Sequence, residues 1–231
     1  MSFRSAVVTF PGSNCDRDLA VALEQVSGTA PYRVWHGDAE LPERLDFIAL
    51  PGGFSYGDYL RCGAIARFAP VMESVSAFAG EGGPVLGICN GFQILCEAGL
   101  LPGVLRLNRQ QQFVCADVTV TVESTASAFA DGWTVGDELV IPIKHGEGNW
   151  YGDADLLASL EANGQIAFRY TEDVNGALDR IAGVTNEAGN VLGLMPHPEH
   201  AVDPLLGPTG GVPLLEGLVA AARSRVALIR A

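Results

Sequence analysis

Cys89 stands in the segment Gly87-Ile88-Cys89-Asn90-Gly91, where a short apolar run ends and a helical pattern begins. This pattern predicts a nucleophile elbow, a sharp strand-to-helix turn, with sulfur in place of the serine oxygen. Glycines on both sides allow the crowded, strained backbone that such a turn needs. The positive end of the following helix favours a thiolate, which is the form of cysteine that attacks carbonyl carbons. Cys89 is therefore the predicted nucleophile, and the backbone N–H of Asn90 is a predicted donor to the oxyanion.

His197 and Glu199 supply a candidate base and its orienting acid. They follow a strand predicted at residues 191–195, and the prolines on both sides of His197 prevent a helix there. If this strand is parallel to the one before Cys89, both strands end at the same edge of the sheet. Glu199 can then accept a hydrogen bond from one imidazole nitrogen while the other faces the thiol. This arrangement predicts a triad in the order Cys, His, Glu.

Another interpretation of the same segment is a metal site formed by His197, Glu199 and His200. Helical zinc motifs need histidines at positions i and i+4 on one face, and Pro198 excludes a regular helix. We therefore expect no metal site in this chain. The remaining cysteines, which have no base beside them in the sequence, are interpreted as structural, and two histidines as strand-end or loop residues; they are Cys15, Cys62, Cys96, Cys115, His36 and His145.

A glycine-rich segment at residues 50–58 follows another predicted strand. It therefore lies at the same carboxyl edge as the elbow. Two adjacent glycines, Gly52 and Gly53, can turn a backbone N–H inward. Gly53 is thus the predicted second donor of an oxyanion hole, beside Asn90.

Short apolar runs alternate with helical patterns through the first half of the chain, which predicts right-handed βαβ units. The second half is richer in strands, and residues 186–190 have the composition of a hairpin turn. We expect one α/β domain over residues 1–231, with a doubly wound, mostly parallel sheet and added antiparallel strands. Strands are predicted at residues 6–10, 32–36, 47–50, 85–88, 113–123, 139–143, 166–170, 181–185 and 191–195, and helices at 16–26, 63–79 (ended or kinked at Pro70), 90–98, 154–162 and 213–225.

Composition excludes several classes of function. The 231 residues carry a formal net charge of −13 and contain a single lysine, Lys144. Such a field repels nucleic-acid phosphates and anionic lipid headgroups, so neither partner is expected. The sequence contains no G-x-x-x-x-G-K-[ST] motif and no run of about 18 apolar residues. Five cysteines without a CxxC motif favour reduced thiols, and we expect a cytoplasmic protein.

The motifs resemble those of the class I (triad) glutamine amidotransferases, whose fold is flavodoxin-like. Within this superfamily the chain is most similar to the glutaminase subunits of phosphoribosylformylglycinamidine synthases, enzymes of purine biosynthesis. The resemblance spans residues ~6 to ~205. The segments that carry it are FPGSNCD (10–16), GGFSYGDYLR (52–61), GICNGFQ (87–93), HGEGN (145–149) and GLMPHPE (193–199).

The resemblance implies that Cys89, His197 and Glu199 hydrolyse L-glutamine to glutamate and ammonia through a thioester. It implies that Gln93 and the Gly52-Gly53 loop hold the glutamine. Ammonia would pass to a synthetase subunit that carries ATP and Mg²⁺, with a small accessory subunit in the same complex and no cofactor in this chain. The expected docking surface is the rim formed by residues 54–61, 108–113 and 145–149.

The chain departs from the family pattern at Gln110, Gln112, His200 and Cys62. His200 stands where arginine is common. These departures bear on contacts with substrate or partner and leave the triad intact. Two other functions remain open from the residues: a general cysteine hydrolase of the same fold, and a ligand-binding α/β module without catalysis. A binding module needs neither the elbow nor the His-x-Glu pair.

Overall fold

A computed structural model describes residues 3–127, 129 and 132–229. Within these residues, nine strands form one sheet in the order β2-β1-β3-β4-β11-β10-β9-β6-β7, and β5 pairs with β8. The strands are β1 (Ser5–Thr9), β2 (Tyr32–Trp35), β3 (Phe47–Leu50), β4 (Val85–Ile88), β5 (Val104–Arg106), β6 (Val114–Val122), β7 (Glu138–His145), β8 (Asn149–Tyr151), β9 (Ile166–Tyr170), β10 (Ile181–Thr185) and β11 (Val191–Leu194).

The first five strands of the large sheet, from β2 across to β11, pair in parallel. The other four are joined by antiparallel pairing, and β10 and β11 form the predicted hairpin. The central strands β3, β4 and β11 are buried along their whole length. Continuous apolar runs suit strands that are covered on both faces. The predicted α/β class, with a mostly parallel sheet and added antiparallel strands, is confirmed.

Helices connect and cover the parallel strands. The described residues contain α1 (Asp16–Ser27), α2 (Val71–Gly80), α3 (Asn90–Glu97), α4 (Ala154–Ala162) and α5 (Gly211–Ile229). Helix α1 packs on α5, and α3 packs against β3, β4, β5 and β11. The buried apolar side chains of these elements and the strands form a continuous core. None of the described helices is long and apolar enough to cross a bilayer.

The structure differs from the predicted elements in three places. The helix predicted over residues 63–79 is interrupted: a 3₁₀ turn at Ala66–Phe68 precedes α2, with Pro70 as the N-cap residue. Proline has no N–H to donate and clashes with the preceding turn of a helix, so the helix restarts after it. Strands β5 and β8 were not predicted, because three residues are too few to show a periodicity. Helix α5 is longer than the predicted span of 213–225.

Candidate active site

Cys89 lies between β4 and α3 with backbone angles of φ 50° and ψ −104°. This conformation is rare for a residue with a side chain, and such strain is typical of catalytic turns. Two backbone hydrogen bonds hold it: the N–H of Cys89 donates to the Leu194 carbonyl at 2.8 Å, and the N–H of Gln93 donates to the Cys89 carbonyl at 3.1 Å. Cys89 as a whole is 5% exposed, so the elbow presents a nearly buried residue.

The two glycines of the elbow are required by close backbone contacts. A Cβ on Gly91 would lie 2.1 Å from the Leu50 carbonyl oxygen, and one on Gly87 would lie 2.7 Å from the backbone of Gly91. Both distances are far shorter than a van der Waals contact. Helix α3 therefore starts close to the carboxyl end of β3, which brings the glycine-rich loop after Leu50 beside Cys89.

His197 and Glu199 form a buried pair at the end of the strand adjacent to β4. Strand β11 pairs in parallel with β4, and its Leu194 lies opposite Ile88, so both strands end at the same edge as predicted. Nδ1 of His197 lies 2.7 Å from Oε1 of Glu199, and the residues are 1% and 3% exposed. Nε2 of His197 has no hydrogen-bond partner among the described residues, which leaves it available for proton exchange.

Electrostatics favour a charged imidazole at His197. Burial alone would lower its pKa, but the Glu199 carboxylate and the thiols of Cys89 and Cys15 raise the pKa well above the ordinary value. A nearby opposite charge favours the charged form of a buried group, and here this effect outweighs the free-energy cost of desolvation. The site is therefore suited to an imidazolium at His197.

Gly52 and Gly53 lie at the same site, as the sequence predicted. A Cβ on Gly52 would lie 2.5 Å from Cε1 of His197, so only glycine lets the loop pass this close to the ring. Gly53 is equally confined, since a Cβ there would lie 2.7 Å from Cα of Ser13. Donation to an oxyanion by Gly53 and Asn90 remains a prediction.

The side chains of Asn90 and Gln93 tie the loops around Cys89 together. Oδ1 of Asn90 accepts from the N–H of Ser55 at 3.1 Å, and its Nδ2 donates to Oε1 of Gln93 at 2.9 Å. Nε2 of Gln93 donates to the Glu147 carbonyl at 2.6 Å. Gln93 thus uses both ends of its amide within the chain. A role for it in binding glutamine also remains a prediction.

His145, interpreted from the sequence as a loop residue, is the last residue of β7 and is 3% exposed. Its Nδ1 donates to Oδ1 of Asn108 at 3.0 Å, and the N–H of Gly148 donates to the same oxygen at 3.0 Å. Burial, together with the charge of His197, lowers the pKa of His145 to about 4. The ring is therefore neutral near pH 7. Asn108, which sequence reasoning did not select, holds the 108–112 and 145–148 segments together.

Cys15 is placed differently from its sequence interpretation. No base stands beside it in the sequence, but in the folded chain its thiol lies close to the imidazoles of His197 and His200. Burial would raise the pKa of Cys15, but the proximity of these two imidazoles lowers it below the ordinary value. Its placement near the site could have been predicted from its position after β1. The carboxyl end of β1 lies at the same edge of the sheet as the carboxyl ends of β3 and β4. The other three cysteines lie outside this cluster: Cys62 is buried, Cys96 half-buried and Cys115 exposed.

Comparisons with known proteins agree with this geometry. Residues 2–209 match the family described as the CobB/CobQ-like glutamine amidotransferase domain. The chain belongs to this family. The match covers nearly the whole described fold, and the class I resemblance predicted from the motifs is confirmed.

Similar proteins place this glutamine amidotransferase more narrowly. A Novosphingobium aromaticivorans protein named phosphoribosylformylglycinamidine synthase subunit PurQ is 57% identical, over 95% of this chain and 97% of that one. A solved structure of PurLQS from Thermotoga maritima is 41% identical, with a TM-score of 0.85 over 95% of this chain and 99% of that one. A solved glutamine amidotransferase from Thermotoga maritima, 17% identical with a TM-score of 0.60 over 98% of each chain, shares the fold.

Proposed function

We propose that the chain is the glutaminase subunit of a phosphoribosylformylglycinamidine synthase. The observation that carries this proposal is the meeting of a strained, nearly buried cysteine with a buried His–Glu pair, on adjacent parallel strands of a chain 57% identical to such a subunit. A ligand-binding module would need no strained cysteine and no buried ion pair.

The first half of the reaction is thioester formation. The Cys89 thiolate attacks the side-chain carbonyl carbon of glutamine, and the negative charge moves to the carbonyl oxygen. The N–H groups of Gly53 and Asn90 stabilise this oxyanion. His197 donates its proton to the nitrogen, which leaves as ammonia when the C–N bond breaks.

The second half is hydrolysis of the γ-glutamyl thioester. Neutral His197 accepts a proton from water through Nε2, and the resulting hydroxide attacks the thioester carbon. The C–S bond breaks, glutamate leaves and the Cys89 thiolate is restored. Glu199 holds Nδ1 of His197 throughout and stabilises the imidazolium, so it orients the base without itself reacting.

Ammonia from this site serves a synthetase subunit. That subunit uses ATP to convert formylglycinamide ribonucleotide into formylglycinamidine ribonucleotide. This chain has a single lysine and no P-loop motif, so ATP and Mg²⁺ are assigned to the synthetase, and a small accessory protein completes the complex.

The docking surface is the rim of the carboxyl edge, composed of residues 54–61, 108–113 and 145–149. Large apolar side chains stand exposed on it: Phe54 (45%), Tyr59 (76%), Leu60 (89%) and Phe113 (54%). The rings of Phe54 and Phe113 stack with centroids 6.4 Å apart, which joins two of the loops. Exposed aromatic and aliphatic groups beside polar ones are typical of a surface that another protein covers.

Backbone strain on this rim also supports its role as a docking surface. Tyr56, Asp58 and Leu60 have positive φ angles of 54°, 54° and 75°. Each such residue costs on the order of 1 kcal/mol. Leu60 combines a strained backbone with an apolar side chain that is exposed to water. When a partner buries that side chain, the free energy gained offsets the cost of the strain.

The test is steady-state glutaminase activity of the purified chain, by itself and with the synthetase, the accessory protein, ATP and formylglycinamide ribonucleotide. We expect activity to rise in the full mixture and the chain to co-elute with the synthetase. Equal rates in every mixture without co-elution would contradict coupling. A general cysteine hydrolase is distinguished by a glutamine-analogue alkylating agent, which should label Cys89 stoichiometrically only in a glutaminase.

A further inference from the structure

The catalytic pair and two further side chains form a cluster of potential metal ligands. One potential ligand atom from each of Cys15, His197, Glu199 and His200 lies within 4.8 Å of all the others. Oε1 of Glu199 lies 2.7 Å from Nδ1 of His197 and 3.9 Å from Nδ1 of His200. The two imidazoles stack with centroids 5.1 Å apart.

We propose that Cys15, His197, Glu199 and His200 form a Zn²⁺ site whose occupation switches off the thiol chemistry at Cys89. The inhibitory consequence rests on the proposed glutaminase function, whereas the binding of the metal does not. From the sequence no metal site was expected, because only a helical motif within residues 197–200 was considered. The fourth ligand comes from the loop after β1, and a 3₁₀ turn at Pro198–His200 replaces the helix.

The donor set suits zinc in type, charge and size. Thiolate, imidazole and carboxylate are its usual ligands, and one thiolate with one carboxylate neutralises a divalent ion. A tetrahedral ion with bonds of about 2.0–2.3 Å needs donors roughly 3.3–3.8 Å apart, so side-chain shifts of about 1 Å complete the site. Oε2 of Glu199 is buried without a hydrogen-bond partner among the described residues, and a cation nearby would stabilise this carboxylate.

The outer contacts of His200 prepare it as a ligand. Its Nε2 lies 3.1 Å from Oδ2 of Asp18, so in the neutral ring Nε2 carries the proton and Nδ1 is the nitrogen left to bind a metal. A carboxylate behind a metal-bound imidazole fixes the ring in this way in zinc sites. Nδ1 of His200 faces Nζ of Lys144 at 3.3 Å, and the ammonium must move aside when the metal enters. The His200 side chain is 17% exposed and Asp18 53%, which provides an entry path from solvent.

Occupation of Nδ1 of His197 by a metal blocks catalysis for a simple reason. The neutral imidazole then carries its proton on Nε2, so it cannot accept a proton from the Cys89 thiol or from water. The metal also removes Glu199 from its orienting hydrogen bond. His200 supplies one of the four ligands at a position where the resembling family commonly has arginine.

Direct metal binding tests the site. Purified full-length chain is titrated with Co²⁺, a spectroscopic substitute for zinc, and then with Zn²⁺ in competition. We expect one Co²⁺ per chain with a thiolate-to-metal absorption band, which Zn²⁺ abolishes. Cys15→Ser and His200→Arg should lose the band, and Cys89→Ala and Cys115→Ser should retain it. Asp18→Asn should weaken binding by about 10–100-fold, and Lys144→Met should tighten it.

Glutaminase inhibition gives the second readout. Zn²⁺ should inhibit the wild type at the concentration at which it displaces Co²⁺, and inhibit His200→Arg only at much higher concentration, each relative to its own activity without zinc. A band lost in Cys89→Ala but kept in Cys15→Ser would overturn the proposal, because the metal would then bind the catalytic thiol. Absence of any band would also overturn it. An inactive chain that still binds Co²⁺ through Cys15 and His200 would contradict the proposed function and leave this site intact.

Discussion

Gly91 at the start of α3 lies against the carbonyl oxygen of Leu50 at the end of β3, where a Cβ would approach to 2.1 Å. Gly91→Ala must push the helix away from β3. Overpacking of this kind costs about 1–3 kcal/mol, and it also moves the Asn90 N–H. We expect a lower melting temperature and reduced glutaminase activity. Gly80→Ala is the matched control, because a Cβ on Gly80 at the end of α2 meets nothing within 4 Å. Equal melting temperatures of the two variants would contradict this account of the elbow.

Replacement of the catalytic thiol should separate two activities of the assembled synthase. Cys89→Ala is expected to abolish product formation from glutamine and to leave formation from added ammonium nearly intact, since the thiol is needed only to release ammonia. Steady-state rates with each nitrogen source measure this separation. The exposed Cys115 provides the control substitution. Loss of both activities in Cys89→Ala would assign Cys89 a structural role.

His197 and Glu199 should contribute unequally to the rate of glutamine hydrolysis. His197→Ala removes both the acid and the base, and we expect kcat/KM for glutamine to fall by at least about 10³-fold, several kcal/mol of transition-state stabilisation. Glu199→Gln keeps a hydrogen-bond acceptor near Nδ1 and should cost less. An active His197→Ala enzyme would contradict the assignment and direct attention to His36 or His145.

His145 should make the protein less stable in acid. Its pKa is lowered from 6.5 to about 4 by burial and by the charge of His197, so the unfolded chain binds this proton before the folded one does. The stabilisation is complete above pH 6.5 and decreases as the pH falls towards 4, by up to about 3 kcal/mol. His145→Gln should lose this contribution. The free energy of unfolding, measured by denaturant from pH 7 to 4.5, should therefore decrease less in the variant than in the wild type; parallel curves would contradict the prediction.

An exposed leucine on the rim should matter for docking. Leu60→Asp is expected to weaken binding to the synthetase by at least about tenfold, or 1.4 kcal/mol, without lowering the melting temperature. Leu205→Asp is the matched control, because Leu205 is 91% exposed against 89% for Leu60 and lies outside the rim loops. Binding is measured by titration calorimetry with purified synthetase. Equal losses in both variants would indicate a general charge effect.

The sequence alone determined the features that depend on short segments. The elbow around Cys89 and the two prolines around His197 impose their local backbone through steric contacts that few other residues satisfy. The parallel strands that carry them are continuous apolar runs, which identify buried strands without any knowledge of their neighbours. From these local features the relation of Cys89 to the His–Glu pair could be predicted, because parallel strands end at one edge.

Only the tertiary structure decided what else meets at that edge. Cys15 lies against His200 because α1 begins directly after Cys15, beside the 3₁₀ turn that contains His200. The sequence separation of these residues gives no signal of that proximity. The same holds for His145 and Asn108, whose hydrogen bond joins residues 37 positions apart. Contacts between distant segments depend on how the whole sheet and its helices pack, and local pattern and spacing do not contain that information.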